Sequence, residues 1–462
     1  MPRQVAIFIF TLFVIWLWRQ DAKFRPRFSK ALWIPFIWLS ILGSRPLSWW
    51  CWFYFGIGSV GSDLEGNALD LLFYSGLIIL SIIIVSRRSF SWSSLLANNL
   101  GLVIFYGFLG ATVLWAQYPF PTAKRWVKEL GAIPVLLLIL TDRRPVEAIK
   151  AVFTRCAYVL FVFSVLTIKY LPEIGRLFSS SGIPQMTGIA QQKNSLGEDV
   201  AVFGLILVWQ LAEKFPRKPR DALKAPVLQW VISLMMGIWL LQQCDSKSSI
   251  LCFGLGTLLI LTTRIHFLDA RRRAVVFICL LAVPLFFIAD NLFQISESVL
   301  QMLGRNPTLT NRTEIWKAVG EHPVDPIFGS GYLNYWDIVG TIQVLGYDTR
   351  LETAHNGYIE IYLDGGYLGI FFLGLMLLHI GARHAGAFIH RRALGEVGLA
   401  YFSMTLLMNV SESIFARRGP LWNAFLMVGI SWWLSTSASP DGSIAVTMPA
   451  VNPSELFSVE IH

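Results

Sequence analysis

The sequence is short of charge. Asp, Glu, Lys and Arg make up 15% of its 462 residues, against about a quarter in an average soluble chain. That shortage, with so much apolar residue beside it, excludes a disordered chain and argues against an ordinary soluble enzyme. Cysteine is scarce too. Cys51, Cys156, Cys244, Cys252 and Cys279 lie in or beside apolar runs and form no CxxC pair. An odd number in that setting reads as small packing residues, not as a disulfide framework, and no Cys/His cluster has zinc spacing. Walker A, HExxH, GxSxG and DxD patterns are absent. Gly56-Ile57-Gly58-Ser59-Val60-Gly61 fits GxGxxG, but no strand–turn–helix unit surrounds it, which argues against a dinucleotide site. There is no internal repeat and no inverted-repeat signature of a transporter.

What is plentiful is apolar: 55% of residues are hydrophobic and 14% aromatic. A membrane-spanning helix needs about 20 apolar residues to cross about 30 Å of hydrocarbon. Such runs occur near 5–18, 31–58, 68–85, 95–115, 127–140, 151–168, 196–212, 226–243, 249–263, 273–290, 366–382, 394–410 and 420–436. The first lacks the small-residue cleavage site of a signal peptide and precedes many more spans, so it stays in the chain. The second is interrupted by Pro35, Gly43 and Pro46. It reads as one span plus an interfacial or re-entrant piece, or as two short spans. The expectation is an all-α polytopic membrane protein with about 12–14 transmembrane helices, the side of its N-terminus left open.

The net charge of +9 would suit a nucleic-acid binder only if it formed one basic face. It does not. Loops at 19–30, 86–93, 141–150, 213–225, 264–273 and 383–393 hold 22 basic and 6 acidic residues. They alternate with segments at 61–67, 115–129, 169–195, 244–248, 291–365 and 411–419, which hold 13 basic and 15 acidic residues. The first set is therefore cytoplasmic and the second external. Nucleic acid is not an expected partner; membrane lipids are. Residues 1–436 form one integral membrane domain, and the Ser/Pro-rich tail 437–462 is expected to be cytoplasmic and disordered.

The longest external segment, 291–365, holds Trp316, Phe328, Tyr332, Tyr335 and Trp336, sufficient for a packed cap on the membrane domain. Polar constellations gather on the same side. Lys193 and Asn194 precede an apolar run, where a helix start favours an anion, or a capped end with a snorkelling lysine. The turn Asp245-Ser246-Lys247-Ser248-Ser249 could hold phosphate oxygens, or simply pair Lys247 with Asp245. Thr310 or Asn311 can cap a helix beginning at Arg312, with Glu314 in its first turn. His355 leads the segment His355-Asn356-Gly357-Tyr358 at the water–membrane boundary; it is a structural histidine or a base at neutral pH. Lys124, Arg125 and Lys128 beside Trp115 and Trp126 suit lipid phosphates or a plain interfacial anchor.

Together these segments resemble the O-antigen ligase and bacterial polysaccharide polymerase superfamily. The resemblance rests on Leu114-Trp115-Ala116, Lys193-Asn194-Ser195-Leu196-Gly197, the Lys247 turn and the Arg312…Trp316 helix start. It continues through Phe328-Gly329-Ser330-Gly331-Tyr332, His355-Asn356-Gly357-Tyr358 with its Gly-rich exit, and Asn409-Val410-Ser411-Glu412-Ser413. Within the superfamily it looks closest to exopolysaccharide polymerases of the succinoglycan type.

The resemblance implies a metal-independent, inverting glycosyltransferase without cofactor, on the outer face of the bacterial inner membrane. The implied donor is a glycan on undecaprenyl pyrophosphate. The acceptor would be another lipid-linked glycan for a polymerase, or lipid A-core for a ligase; other polysaccharide export proteins are further implied partners. Carried over by motif, Arg312 and Lys247 bind pyrophosphate and His355 activates the acceptor hydroxyl. Lys193, Asn194, Asn356, Tyr358 and Glu412 contact the donor or support the site. Lysine at 247, where ligases carry arginine, gives a point charge rather than a fork and weighs against the ligase. A transporter or flippase of lipid-linked sugars is the alternative from another class. It would bury ionisable groups at mid-membrane, whereas Asp70, Glu198, Asp199, Arg155 and Glu396 mostly lie near expected helix ends.

Overall fold

The computed structural model describes residues 1–25, 27–57, 67–88, 90–178, 182–214, 226–278, 312–344 and 347–430, with the side chains of 312–314 and 341–350 left out. The chain is all-α, as expected. In order the helices are α1 (Arg3–Phe24), α2 (Trp33–Leu42), α3 (Leu47–Phe55), α4 (Ala68–Ser86), α5 (Trp92–Asn98), α6 (Leu100–Ala111), α7 (Pro119–Leu130), α8 (Ala132–Leu140), α9 (Pro145–Tyr170) and α10 (Pro172–Gly175). There follow α11 (Lys193–Lys214), α12 (Val227–Cys244), α13 (Lys247–Thr262), α14 (His266–Asp269), α15 (Arg312–Gly320), α16 (Tyr335–Val339), α17 (Gly357–Ile389), α18 (Gly395–Met408) and α19 (Pro420–Ile430). Two small antiparallel hairpins, Arg176–Phe178 with Pro184–Met186 and Thr341–Val344 with Tyr347–Arg350, decorate it.

Burial sorts the helices. The apolar windows of α9 and α11 are each 78% buried, against 22% for α1 and 28% for α4. An apolar helix that the protein itself does not cover needs lipid around it. So α9 and α11 form the centre, with α12 and α13 against α11, then α18 and α17 beyond α13, while α1 and α4 present side chains outward.

The described residues cover part of the chain over which 12–14 spans are expected. Among the described residues, six helices are long and apolar enough to cross a membrane, or seven if α5 and α6, bent by 84°, are one span. Several apolar runs make shorter helices, including Lys247–Thr262, Gly395–Met408 and Pro420–Ile430. Apolar composition marks what can enter a bilayer, but chain breakers set helix length. The run 31–58 divides at Gly43–Pro46; Pro35 is tolerated in the first turn of α2, where its missing N–H costs nothing. The run 127–140 is split between α7 and α8 around Gly131. Most of the run 273–290, the end of 420–436, residues 291–311 and the tail 437–462 lie outside the described residues.

The groups expected inside and outside gather at different places along the central helices. Arg25 binds Asp21 at 2.7 Å and Gln210 at 2.8 Å, and Lys150 binds Glu213 at 2.6 Å. Glu198, which accepts from Leu421 N at the end of the loop 408–420, lies about 18 Å back along α11 from Gln210 at 1.5 Å per residue.

The described part of the segment expected to be external, from 312 onward, folds over a break in α17. At Gly366 the backbone leaves the helix (φ 60°, ψ −155°). Bonds lost there are replaced by the Gly-rich loop 326–331. Tyr367 N donates to Pro326 O (2.8 Å) and Leu368 N to Ile327 O (3.2 Å), while Ser330 N and Gly331 N donate to Leu363 O and Asp364 O (2.8 and 3.0 Å). Neither side can carry a Cβ: one on Gly366 would lie 2.4 Å from the Ile327 carbonyl, and one on Gly329 2.5 Å from Gly365 N. The two glycine-rich motifs are thus one interlock. Above it Ile315, Val319, Tyr335, Trp336, Ala354 and Leu363 form a small separate core with Trp316 against it; of the other aromatics expected in a cap, Tyr332 joins the main core and Phe328 is 45% exposed.

Positive-φ backbone forced on a residue with a Cβ costs about 1–3 kcal/mol before any clash. Gly366→Ala should therefore lower the thermal unfolding midpoint of the detergent-purified protein markedly. Gly374→Ala, where an added Cβ would meet nothing within 4 Å, should not. Equal midpoints for the two variants would contradict the interlock.

Candidate functional site

A cavity of about 760 Å³ opens among the segments assigned to the external face. Its walls come from the α2–α3 turn, the start of α4, α7, the start of α11, the 332–333 and 352–355 turns and the loop 408–420. Cations and acids share it: Arg45, Arg125, Lys128, Arg417 and Arg418 against Asp70, Glu129, Glu198, Asp199, Glu352 and Glu412.

His355 lies on this wall, and three chain segments set its place. Asn356 caps α17, its Oδ1 accepting from Tyr358 N and Ile359 N at 3.0 and 3.1 Å. Gly357 N donates to Asn409 O and Glu412 O, and a Cβ on Gly357 would collide with Asn409 Oδ1 at 1.7 Å. The Tyr358 hydroxyl donates to Leu406 O at 3.0 Å. The start of α17 is therefore seated on the end of α18. That seat puts Glu412 between two polar side chains: Oε1 accepts from Asn194 Nδ2 at 2.8 Å, and Oε2 lies 3.4 Å from His355 Nδ1.

Three residues singled out from separate parts of the sequence, Asn194, His355 and Glu412, thus meet in one cavity. His355, Leu333 and Ala416, all on its wall, have positive φ (51°, 55° and 50°). Non-glycine residues adopt that region rarely, and they cluster where surrounding structure imposes a functional shape.

The other expected residues fall differently. Lys247 is off the cavity wall, exposed, and paired with Asp245 at 2.9 Å. The helix that it starts is still tied to the site, since Ser411 Oγ donates to Ser248 Oγ at 2.6 Å. Lys193 opens α11 without lining the cavity. Arg312 starts α15 as expected; its side chain lies outside the described residues, as do Thr310 and Asn311. The basic cluster of α7 turns out to face the cavity through Arg125 and Lys128, and Arg125 binds Asp337 at 2.6 Å and also donates to Leu333 O. Arg45, Arg417, Arg418 and Glu129 were not singled out. An Arg-Arg pair in a short loop expected to be external, against the positive-inside trend, was the available signal for two of them.

Arg417 anchors the loop 408–420. Its guanidinium lies 2.5 Å from Glu360 and 3.7 Å from Asp364. Burial alone would lower its pKa, but those two carboxylates, Glu360 first, raise it above the ordinary arginine value. Glu360 also accepts from Ala354 N (2.5 Å) and Trp336 Nε1 (3.2 Å). Behind it the Tyr332 hydroxyl donates to Ala416 O at 2.5 Å, and burial holds that phenol well above its usual range. Among the described residues no group of three or more His, Cys, Asp or Glu is placed to hold a metal ion.

Fold and site define a polytopic α-helical membrane protein with a polar, mixed-charge cavity at the helix ends of one face. Residues 230–374 match the family model described as O-Antigen ligase. The match supports placing the chain in the O-antigen ligase and polymerase superfamily, with a glycan-processing function of that kind. It includes the Lys247 turn and His355 and stops short of Glu412. No curated protein matches the chain.

Removing one partner of a buried ion pair costs about 3–5 kcal/mol, because the other charge is left behind. Arg417→Met should therefore lower the unfolding midpoint strongly, and Glu360→Gln combined with Arg417→Met should recover part of the loss. Additive losses in the double variant would contradict the pair.

Proposed function

We propose that the protein transfers glycan units from an undecaprenyl-pyrophosphate donor to a glycan acceptor at the periplasmic face of the bacterial inner membrane, as an exopolysaccharide polymerase. The observation that carries this reading is the cavity holding His355 against Glu412 and Asn194, beside unpaired guanidinium nitrogens at the membrane boundary.

The reaction needs an acceptor hydroxyl made nucleophilic and a pyrophosphate made a better leaving group. With Nδ1–H of His355 on Glu412, the lone pair on Nε2 is turned to the acceptor. As the acceptor oxygen bonds to C1 of the donor sugar, its proton passes to Nε2 and the C1–O bond to pyrophosphate breaks. Attack opposite the leaving group inverts the anomeric centre. Charge developing on the pyrophosphate is met by fixed cations at a partly dry interface, with no metal required. Arg312 and Lys247 are assigned to this from the segment 291–365 and the 245–249 turn, Lys247 exchanging Asp245 for a phosphate oxygen. Lys193, Asn356 and Tyr358 support the site.

A general base contributes about 10²–10⁴-fold. His355→Ala should lower glycan transfer by purified protein at least about 10²-fold with the unfolding midpoint kept, and wild-type activity should survive excess EDTA. Full activity in His355→Ala removes the base from this role; activity lost to EDTA removes metal independence. The family description favours one second reading, a ligase. Lipid A-core offered beside lipid-linked glycan separates the two: the polymerase elongates the lipid-linked glycan and leaves lipid A-core unmodified, and the ligase does the reverse.

A further inference from the structure

The loop 326–331 lies in the segment expected to be external, yet its backbone is paired as if water were absent. Ile327 N and Phe328 N both donate to Asp325 Oδ1, at 2.9 and 2.8 Å, and Gly329 N donates to Asp325 O at 2.9 Å. The Pro326 and Ile327 carbonyls accept from Tyr367 N and Leu368 N, and the Phe328 carbonyl accepts from Trp115 Nε1 at 3.0 Å. Pro326 has no N–H to satisfy. From Pro326 to Phe328, then, each backbone donor and acceptor has a partner within the protein. A loop in water needs no such completeness, whereas backbone at membrane depth does. The side chains at the tip are left outside: Ile327 is 52% exposed, and Phe328 nearly as much.

Those side chains continue an apolar surface. Phe328 packs on Trp115, with ring centroids 5.4 Å apart, and the adjoining Leu114 is 86% exposed. On α17, Tyr367 and Phe371 are 65 and 56% exposed. That helix is long and apolar enough to cross a membrane, and its residues 365–382 include no Asp, Glu, Lys or Arg. At 1.5 Å per residue this stretch reaches about 27 Å, against about 30 Å of hydrocarbon. A span with no length to spare has Tyr367 and Leu368 inside its outer end. Trp115 and Tyr367 are of the residue types that gather at a membrane boundary. Glu321, His322 and Asp325, exposed just before the loop, mark its water side.

We propose that the loop 326–331 is inserted in the membrane, with Ile327 and Phe328 seated among phospholipid acyl chains at the hydrocarbon edge of the leaflet on the cavity's side. Its hydrogen bonds to Tyr367 and Leu368 bring it to that depth, and its paired backbone lets it stay there. The partner of this surface is lipid, continuous with the lipid that surrounds α17. Backbone pairing, exposure and span length carry the placement, which does not depend on the transferase reading. The interlock at Gly366 thereby gains a second use: the loop that repairs the helix break also anchors the cap in the bilayer. Tyr332 and Leu333, which follow the loop directly, line the cavity, so the anchor holds that wall close to headgroup level.

The test labels full-length wild-type protein in phosphatidylcholine nanodiscs from both phases and maps the marks by peptide mass spectrometry. Carbenes come from a phospholipid with a diazirine high on its acyl chain, and hydroxyl radicals are generated in the water. Carbenes should mark Ile327 and Phe328 along with Phe371, while radicals mark His322 and spare Phe328. Radical marks on Ile327 and Phe328 without carbene marks overturn the insertion. Marks from neither reagent overturn it too, since another segment, a second copy or a partner protein then covers the patch. A second measurement places spin labels by Ile327→Cys and Phe328→Cys, with Cys51 and Cys279 replaced by serine. Collisions with oxygen should exceed those with a water-soluble nickel chelate, as at Phe371→Cys, and the order should reverse at Glu321→Cys. Nickel exceeding oxygen at both loop positions overturns the insertion. Neither readout uses glycan transfer, so an inactive protein with a lipid-labelled loop would keep this placement and lose only the transferase reading.

Discussion

The buried pair between Glu360 and Arg417 is the interaction on which the site depends. It joins the first turn of α17 to the loop before α19; the same oxygen of Glu360 accepts from the indole of Trp336, and its other oxygen fastens the backbone at Ala354. Two segments of the cavity wall, 352–355 and 408–420, and the cap therefore share one carboxylate. An ion pair so buried is a poor source of net stability, since desolvation consumes most of its attraction. Its value is geometric. Each partner can satisfy the other only in one arrangement, and that arrangement presents His355, one residue from Ala354, beside Glu412.

Around this pair, function and fold use the same irregularities. The α17 helix breaks at Gly366, and the freed backbone groups are taken up by loop 326–331. Backbone groups at membrane depth must find partners within the protein, so the break and the loop require each other. The break lies one residue beyond the Asp364–Gly365 segment, which also receives Gly331 and Leu333. In this way the cap, the break and the cavity wall form one connected piece.

Much of this was legible in the sequence, for physical reasons. Apolar runs and basic loops report the bilayer directly, so the all-α membrane class was readable, and so was the gathering of Asn194, His355 and Glu412 on one side. Helix number was less so, because hydropathy does not register where Gly43–Pro46, Asn99 or Gly131 interrupts a run. The cationic wall was the least legible. Arg45 is a single charge inside the apolar run 31–58, and Arg417 and Arg418 look alike in sequence, yet one is neutralised by Glu360 and the other keeps an unpaired nitrogen. Only the fold tells structural cations from available ones. The same distinction moves attention from Lys247, exposed and paired with Asp245, to the cavity interior.

The central claim is that one cavity holds the leaving group and the base together. It is tested most directly by a cryo-electron microscopy structure of the full-length protein in a nanodisc with a non-hydrolysable lipid-linked pyrophosphate glycan. The account predicts phosphate density in the cavity, with the donor sugar directed toward His355 Nε2. Phosphate density remote from both the cavity and the 245–249 turn, with His355 distant from the sugar, would contradict it.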